Sequence, residues 1–264
     1  MRTSPTSRRR RSLGQHFLSS PSLALRIVEL FGPAPGETVI EIGPGRGALT
    51  APLLAAGARV TAVEVDPRLA DDLQSRFGEH PGFTLVVADI LRTDIARLAG
   101  PAPARVLANL PYAITGEVLV RLFAAAGRIS DMTLMLQREV VNRLVADPGG
   151  KVYGSLSVLA QYFTEPRILM KLGPGSFTPP PAVSSTLVAM PLRRARELSA
   201  QQERAYPAFV RMLFARRRRT LLNNLKTGGV SDAELKLAQA GIAPSRRPET
   251  LSRTECLKLR AALD

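Results

Sequence analysis

Between residues 38 and 112 the chain repeats one pattern, in which a short apolar or β-branched segment ends in polar residues or glycine and a helix-favouring segment follows. The predicted strands are Thr38–Ile42, Arg59–Val63, Phe83–Val87 and the apolar run 105–108. Strands that alternate with helices form a mostly parallel sheet with the helices on its faces. The repeat therefore predicts an α/β fold.

The residues that directly follow these four strands are the first candidates for a binding site. They are the glycine turn 43–47, Glu64, Asp89 and Asn109. Ligands of open α/β sheets bind beyond the carboxyl ends of the strands, so we expect these residues to converge on one crevice. A single acid such as Asp66 or Asp89 is also explained as the N-cap of the following helix. Helix capping does not explain why four successive strands all end in glycine or polar residues.

The turn Gly43-Pro44-Gly45-Arg46-Gly47 opens a predicted helical segment, Ala48–Ala56. Glycines between a strand and a helix let the backbone approach a nucleotide cofactor closely. Glu64 follows about twenty residues after the first glycine, where an acid can bond both ribose hydroxyls. Because the glycine spacing differs from G-x-G-x-x-G, the turn alone leaves the cofactor open between NAD, FAD and a sulfonium compound.

The tetrapeptide Asn109-Leu110-Pro111-Tyr112 decides between these cofactors. An amide, a carbonyl fixed by proline and an aromatic face are suited to grip a planar base that carries an amino group. Taken alone, the tetrapeptide is also explained as a turn between a strand and a helix, in which Pro111 marks the end of the strand. Together with the other strand ends, it favours a sulfonium methyl donor that acts on such a base.

The charge of the chain indicates the kind of partner. Lysine and arginine total 36 against 22 acids, which gives a formal net charge of +14. Such an excess indicates a polyanion, most often nucleic acid, because each neutralised phosphate releases condensed counterions. Anionic lipid is the weaker alternative, since the basic clusters lack a Trp- or Phe-rich amphipathic face. The run Arg216, Arg217, Arg218 and Arg219 is predicted to contact nucleic acid, with a solvated helix face as the alternative.

Other function classes are disfavoured by composition. One cysteine, Cys256, excludes an internal disulfide, and with only two histidines we expect no metal site. No stretch approaches the roughly 18 apolar residues of a membrane span. Residues 1–11 are basic and lack the apolar core of a secretory signal, so a cytoplasmic location is expected.

The rest of the chain predicts a sheet edge and a second domain. The predicted strands Arg167–Leu172 and Thr186–Leu192 flank the proline-rich loop 177–181 and indicate an antiparallel hairpin at the sheet edge. In that loop, Phe177 also fits a hydrophobic plug for the sheet edge. Past Arg194 the chain becomes charged and helix-favouring. The predicted division is a basic tail 1–11, a larger domain 12–197 and a helical domain 198–264.

Seven motifs carry a resemblance to a known family. In chain order they are Gly14-Gln15-His16-Phe17-Leu18, Glu41-Ile42-Gly43-Pro44-Gly45 with Glu64 after it, Ala88-Asp89-Ile90, Asn109-Leu110-Pro111-Tyr112, Gln137-Arg138-Glu139-Val140, Phe177 with Pro179 and Pro181, and Arg217-Arg218-Arg219-Thr220-Leu221. Single motifs are shared by many methyltransferases, but the ordered set resembles the small-subunit ribosomal RNA adenine dimethyltransferases. The match runs from about Ser12 to about Leu225, which is most of the chain.

The resemblance implies a Rossmann-like class I methyltransferase sheet with a small all-helical C-terminal domain, S-adenosylmethionine as donor, and N6,N6-dimethylation of two adjacent adenosines near the 3′ end of small-subunit rRNA. The implied cofactor contacts are Gln15, His16, Leu18, Glu41, Gly43, Gly45, Glu64, Val65, Asp89, Ile90 and Asn109. The implied catalytic residues are Asn109, Leu110, Pro111 and Tyr112, with Tyr112 and Phe177 stacking on the base. Glu64 is expected to hold the ribose and Asp89 the adenine amine. A monomer that acts on rRNA within a pre-ribosomal particle is expected.

Ala113, Ala182 and His16 depart from residues that are frequent in this family, without removing a group that the chemistry needs. Three alternatives stay open. One is a large-subunit rRNA adenine methyltransferase of the antibiotic-resistance type, against which Leu110 and the run 217–221 argue. Another is a non-catalytic RNA-binding assembly factor on the same fold, although the candidate site residues are all present. The third, an NAD-dependent dehydrogenase, leaves the tetrapeptide and the basic excess unexplained.

Overall fold

The computed structural model describes residues 15–263, so the predicted basic tail 1–11 and Gly14 lie outside the described residues. The strands are β1 (Phe17–Leu18), β2 (Thr38–Ile42), β3 (Arg59–Glu64), β4 (Phe83–Val87), β5 (Ala104–Asn109), β6 (Ile129–Gln137), β7 (Arg167–Leu172), β8 (Phe177–Thr178) and β9 (Ser185–Pro191). The helices are α1 (Pro21–Phe31), α2 (Thr50–Ala55), α3 (Pro67–Phe77), α4 (Ile95–Ala99), α5 (Thr115–Ala124), α6 (Arg138–Leu144), α7 (Ser155–Phe163), α8 (Ala200–Leu213), α9 (Leu221–Thr227), α10 (Ala233–Gln239) and α11 (Arg253–Ala262).

Seven of the strands form one sheet in the order β4-β3-β2-β5-β6-β9-β7. The first five strands of that order are parallel, whereas β9 runs antiparallel to both β6 and β7. Central strand β2 is buried on both faces, and Val39 and Ile40 are 0% exposed, as expected for a strand covered by helices on both sides. The predicted α/β fold and the antiparallel hairpin at the sheet edge are confirmed.

Helix α1 shows how local sequence sets the ends of an element. The side chain of Ser20 caps its first turn by accepting a hydrogen bond from the Leu23 amide. Gly32 ends the helix in the left-handed region at φ 61°, which glycine adopts without steric cost. Ile27 and Phe31 are buried one helical turn apart, so this face of the helix packs into the core.

A second, two-stranded sheet joins β1 to β8, with Phe17 opposite Thr178. We call residues 15–19 the N-terminal strap. Beyond the strand pair, the Ser19 amide donates to the Ser176 carbonyl at 3.0 Å, and His16 Nδ1 lies 2.7 Å from the Pro179 carbonyl oxygen. The strap is therefore fastened from His16 to Ser19 along residues 176–179.

Contacts between residues divide the chain into two units. The first comprises the described residues up to 141 together with Arg167–Leu192, and the second comprises Asn142–Pro166 and the chain from Arg193 onward. The second unit therefore begins earlier than the boundary near 198 that the sequence suggests, because residues 142–166 pack on the later helices. For example, the Tyr162 hydroxyl donates to Glu203 Oε1 at 2.9 Å. Within residues 15–263, no helix combines the length and the apolar content that a bilayer crossing requires.

Candidate active site

A cavity opens beyond the carboxyl ends of β2, β3, β4 and β5 in the first unit. Its lining consists of Gln15, His16, Phe17, Ile42, Gly43, Gly45, Val63, Glu64, Val65, Ala88, Asp89, Ile90, Asn109, Leu110, Pro111, Tyr112, Ala113 and Ile114. The structure thus brings together the four strand ends that the sequence predicts to converge. Phe17, Ile42, Val63, Ala88, Ala113 and Ile114 were not predicted as site residues, although all of them adjoin residues of the predicted motifs.

The glycine turn borders this cavity through backbone that requires glycine. Gly43, Gly45 and Gly47 have φ of 67°, 59° and 72°, in the left-handed region that other residues rarely adopt. A Cβ atom on Gly45 would lie 2.8 Å from the ring of Phe17 in the strap, and one on Gly47 would lie 2.7 Å from the ring of Phe77. The turn is therefore packed tightly against its neighbours.

Glu64 fixes the glycine turn to the end of β3. Its side chain is buried, and Oε2 accepts from the Gly45 amide at 3.1 Å. Oε1 accepts from the amides of Val65 and Asp66 at 2.9 Å each. A carboxylate offers about four acceptor positions, so these three bonds leave capacity for one further donor in the cavity.

The two aspartates of the strand ends have different surroundings. Asp66 caps α3 by accepting from the Arg68 amide at 3.1 Å, so the N-cap alternative holds for this residue. Asp89 lines the cavity, and its Oδ1 accepts from the Leu91 amide at 2.9 Å. Asp89 is therefore the one of the two that a bound ligand can contact.

The tetrapeptide 109–112 lies at the end of β5. Asn109 Nδ2 donates to the His16 carbonyl of the strap at 2.8 Å. The side-chain oxygen of Asn109, Oδ1, remains able to accept a hydrogen bond. The Pro111 carbonyl already accepts from the Ile114 amide at 3.2 Å and from Thr115 Oγ1 at 3.1 Å. The Leu110 carbonyl accepts no hydrogen bond from the residues that the structure describes.

Three predicted site residues lie elsewhere in the first unit. Phe177, expected to stack on the base, is 3% exposed and packs in the hydrophobic core, as a plug would. Leu18 also packs against the core, outside the lining of the cavity. Glu41 is buried behind the glycine turn, where it accepts a hydrogen bond from Thr50 Oγ1 at 2.7 Å. For Phe177 to stack on a base, its ring would have to leave the core.

Burial raises the pKa of the Glu41 carboxyl group well above its ordinary value. Removal from water, with a smaller contribution from the negative charge of Glu64, raises its pKa to about 7, although the bond from Thr50 acts in the opposite direction. The native chain therefore retains this proton to a higher pH than the unfolded chain does. The stability that Glu41 contributes is complete below pH 4.5 and is lost as the pH rises to about 7.

Glu41→Gln is therefore expected to make stability less dependent on pH. Since glutamine has no proton to lose, the free energy of unfolding of the variant should exceed that of the wild type by up to about 3 kcal/mol at about pH 8. Near pH 4.5 the two proteins should be equally stable. Urea unfolding at both pH values measures this, and an equal difference at both values would contradict the ionisation of Glu41.

The arginine run lies in the second unit and forms a turn, not a helix face. Arg216, Arg218 and Arg219 are exposed, and their side chains make no hydrogen bond or ion pair with the described residues. Arg217 Nη2 donates to the carbonyls of Lys151 and Tyr153, the latter at 3.0 Å. Three of the four guanidinium groups are therefore available to an external partner, whereas that of Arg217 also holds a loop of its own unit.

Comparisons with known proteins agree with this geometry. A family model described as Ribosomal RNA adenine dimethylase matches residues 6–264. The protein named Ribosomal RNA small subunit methyltransferase A of Acinetobacter baylyi is 40% identical over 251 residues, which cover 95% of this chain and 90% of that protein. The protein of the same name from Moorella thermoacetica is 39% identical over 257 residues, covering 93% of this chain and 89% of that protein.

Solved structures share the fold over almost the whole chain. A dimethyladenosine transferase from Plasmodium falciparum aligns with a TM-score of 0.74 and 21% identity, covering 92% of this chain and 96% of that one. The 23S rRNA methyltransferase ErmE aligns with a TM-score of 0.69 and 26% identity, covering 94% and 99% of the two chains. From the match along its length and the identity to these relatives, the chain belongs to the ribosomal RNA adenine dimethylase family.

Proposed function

We propose that the protein transfers methyl groups from S-adenosylmethionine to N6 of two adjacent adenosines near the 3′ end of small-subunit rRNA, until each carries two. The observation that carries the proposal is that one cavity contains the Asn109 amide and the Tyr112 ring together with Gly43 and Gly45. The family match and the names of the curated relatives support the substrate class.

The residues of the cavity fit S-adenosylmethionine. A Cβ atom on Gly43 would meet the Asn109 carbonyl oxygen at 4.0 Å, so the backbone of Gly43 leaves room on the cavity side. Gln15 Oε1 is buried and has no hydrogen-bond partner among the described residues, which makes it an unsatisfied acceptor in the lining. Glu64 would hold a ribose hydroxyl with its remaining acceptor position, and Asp89 would accept from the adenine amine of the cofactor.

When bound, S-adenosylmethionine supplies a methyl group on a positively charged sulfur that is also the leaving group. The target amine of adenine is a poor nucleophile because its lone pair is conjugated with the ring. Asn109 Oδ1 and one backbone carbonyl accept its two hydrogens, which favours a pyramidal nitrogen with its lone pair free to form the new bond to carbon. In well-oriented systems, positioning of this kind lowers the activation free energy by up to about 7–11 kcal/mol.

The second acceptor is the carbonyl of Leu110, not that of Pro111. Both lone pairs of the Pro111 oxygen are used by Ile114 and Thr115. The Leu110 carbonyl directly follows Asn109 in the chain, and Leu110 lines the cavity. Leu110 is 1% exposed, so packing holds its backbone in place.

Tyr112 supplies the stacking surface for the extruded base. Leaving the RNA stack costs the base a few kcal/mol, and one aromatic contact returns about 1–3 kcal/mol. When the nitrogen bonds to the methyl carbon and the sulfur leaves as a neutral thioether, the nitrogen becomes positively charged and releases one proton to solvent. The neutral amine then retains one hydrogen, so one of its two acceptors still holds it while the second methyl group is added. Tyr112 is half-buried at the cavity wall, which leaves part of its ring accessible to the base.

The arginine turn of the second unit provides the RNA contact. Its exposed guanidinium groups suit phosphate recognition, which is independent of sequence and sensitive to salt. We further propose that the protein acts as a monomer in the cytoplasm and that its substrate is a pre-ribosomal particle. The large positive net charge supports binding to such a particle, whose surface is rich in phosphate.

Arg218→Ala is expected to weaken RNA binding equally for all sequences, and to reduce the slope of log affinity against log salt by about 0.7–0.9. Its free energy of unfolding should not change, since its side chain is exposed and unpaired. Arg217→Ala is the matched variant, which should also lower stability by about 1 kcal/mol because it leaves two loop carbonyls without their donor. Filter binding at several salt concentrations and urea unfolding separate the two effects. An unchanged salt slope for Arg218→Ala would remove this turn from the RNA interface.

Incubation with labelled S-adenosylmethionine and unmodified small subunits tests the proposed function. Label should appear as N6,N6-dimethyladenosine at two adjacent positions near the 3′ end of the RNA, as mapped by nuclease digestion and mass spectrometry. Large-subunit RNA is the parallel substrate, because the similarity to ErmE makes a large-subunit methyltransferase the second candidate. Label in large-subunit RNA alone would select that candidate, and no label in either RNA would leave a non-catalytic binding protein.

A further inference from the structure

The hydroxyl of Tyr112 lies 2.9 Å from Oγ of Ser185, a contact between residues 73 positions apart. Ser185 belongs to none of the motifs of the sequence and does not line the cavity. Its side chain is 1% exposed, so water does not compete for the hydroxyl. The side chain that holds the Tyr112 hydroxyl therefore lies outside the cavity.

Ser185 is a rigid anchor. It is the first residue of β9 and pairs on one side with Gln137 of β6 and on the other with Leu172 of β7. Tyr112, by contrast, lies in a single 3-10 turn, Tyr112–Ile114, outside the paired strands. The hydrogen bond therefore connects a ring on a short turn to the interior of the seven-stranded sheet.

The bond fixes the direction of the tyrosine ring. The hydroxyl lies on the Cβ–Cγ axis, so holding it fixes that axis and leaves only rotation about it. Without the bond, χ1 can redistribute among its staggered wells, and most of these would direct the ring elsewhere.

We infer that Ser185 is a positioning residue that holds the Tyr112 ring in the position where it can stack on the target adenine. The inference rests on the proposed function. Ser185 would then affect capture of the base and leave RNA binding and cofactor binding unchanged, because it is buried and does not line the cavity.

Ser185→Ala tests the inference, with Ser184→Ala as the control because Ser184 is adjacent and its side chain makes no hydrogen bond with the described residues. Loss of the bond should reduce kcat on small subunits about fivefold to tenfold, the effect of one buried hydrogen bond. KM for the subunit and Kd for the cofactor should stay within about twofold, since the charges and the cavity lining are retained. Thermal unfolding of both variants shows that each is folded.

Tyr112→Phe removes the same bond from its other end. It should cause the same loss of kcat, and the double variant Ser185→Ala/Tyr112→Phe should lose no more than either single variant. Additive losses, an unchanged kcat in Ser185→Ala, or a loss accompanied by equally weakened cofactor binding would each overturn the positioning role.

A spectroscopic measurement gives a readout that is independent of activity. The chain has four tyrosines and no tryptophan, and Tyr153, Tyr162 and Tyr206 are 0% exposed. A near-ultraviolet difference spectrum between wild type and Ser185→Ala should report the altered hydroxyl of Tyr112, and the signal should vanish in the Tyr112→Phe background. No difference signal would show that the two hydroxyls are not bonded in solution. A wild type without activity on small subunits would refute the proposed function and with it the role in base capture, whereas the spectrum would still decide the contact.

Discussion

Asn109→Ala is expected to lower the rate of methyl transfer about a thousandfold, the upper range for removal of one preorganised polar group from an active site. The Oδ1 acceptor that holds one hydrogen of the amine would be absent, so the lone pair would stay conjugated with the ring. Affinity for the cofactor should fall by less than about tenfold, because only the bond from Nδ2 to the His16 carbonyl is lost with it.

Single-turnover transfer from labelled cofactor to small subunits measures the rate, and calorimetry with S-adenosylhomocysteine measures the affinity. Asn142→Ala serves as the matched control, since it removes the same atoms from an exposed position on α6. A rate within tenfold of the wild type would exclude Asn109 as an acceptor for the target amine. A loss of affinity that matched the loss of rate would instead assign Asn109 to cofactor binding alone.

Tyr112→Ala is expected to lower kcat about a hundredfold, because one base-aromatic stack contributes about 1–3 kcal/mol. The slope of RNA affinity against salt should not change, since no charge is removed. Tyr112→Phe is the informative comparison, because it retains the stacking face and should lose only the smaller factor that follows from the bond to Ser185. Near-normal turnover of Tyr112→Ala would mean that the base is held without this ring.

The order of strands and helices could be predicted because each element depends on a few neighbouring residues. The strand β4 begins and ends where the sequence predicts, and α2 lies within the predicted helical segment Ala48–Ala56. Convergence of the strand ends also follows from local pattern, because parallel strands place their carboxyl ends on one edge. Helix α4 could not be predicted, because its five residues span little more than one helical turn and show no periodicity that separates a helix from a loop.

Features that depend on contacts between distant residues could not be predicted. The burial of Phe177 follows from the pairing of β8 with β1, about 160 residues away, and no local signal separates a stacking ring from a core ring. The bond between Tyr112 and Ser185 is of the same kind. The hydrogen bonds that occupy the Pro111 carbonyl, on which the proposed acceptor role of Leu110 rests, belong to the 3-10 turn after Pro111, and the tetrapeptide alone does not reveal them.

The sheet formed by β1 and β8 contains two residues from each strand. Adding or deleting one residue in either strand would shift the register of the pair, and a shift of one residue moves the side chains of a strand to the opposite face. The carbonyl of His16 would then no longer reach the amide of Asn109, which lies 93 positions further along the chain. The register of this short strand pair therefore helps to orient the amide of Asn109, and residues 17–18 and 177–178 should tolerate insertions and deletions less well than an ordinary surface loop does.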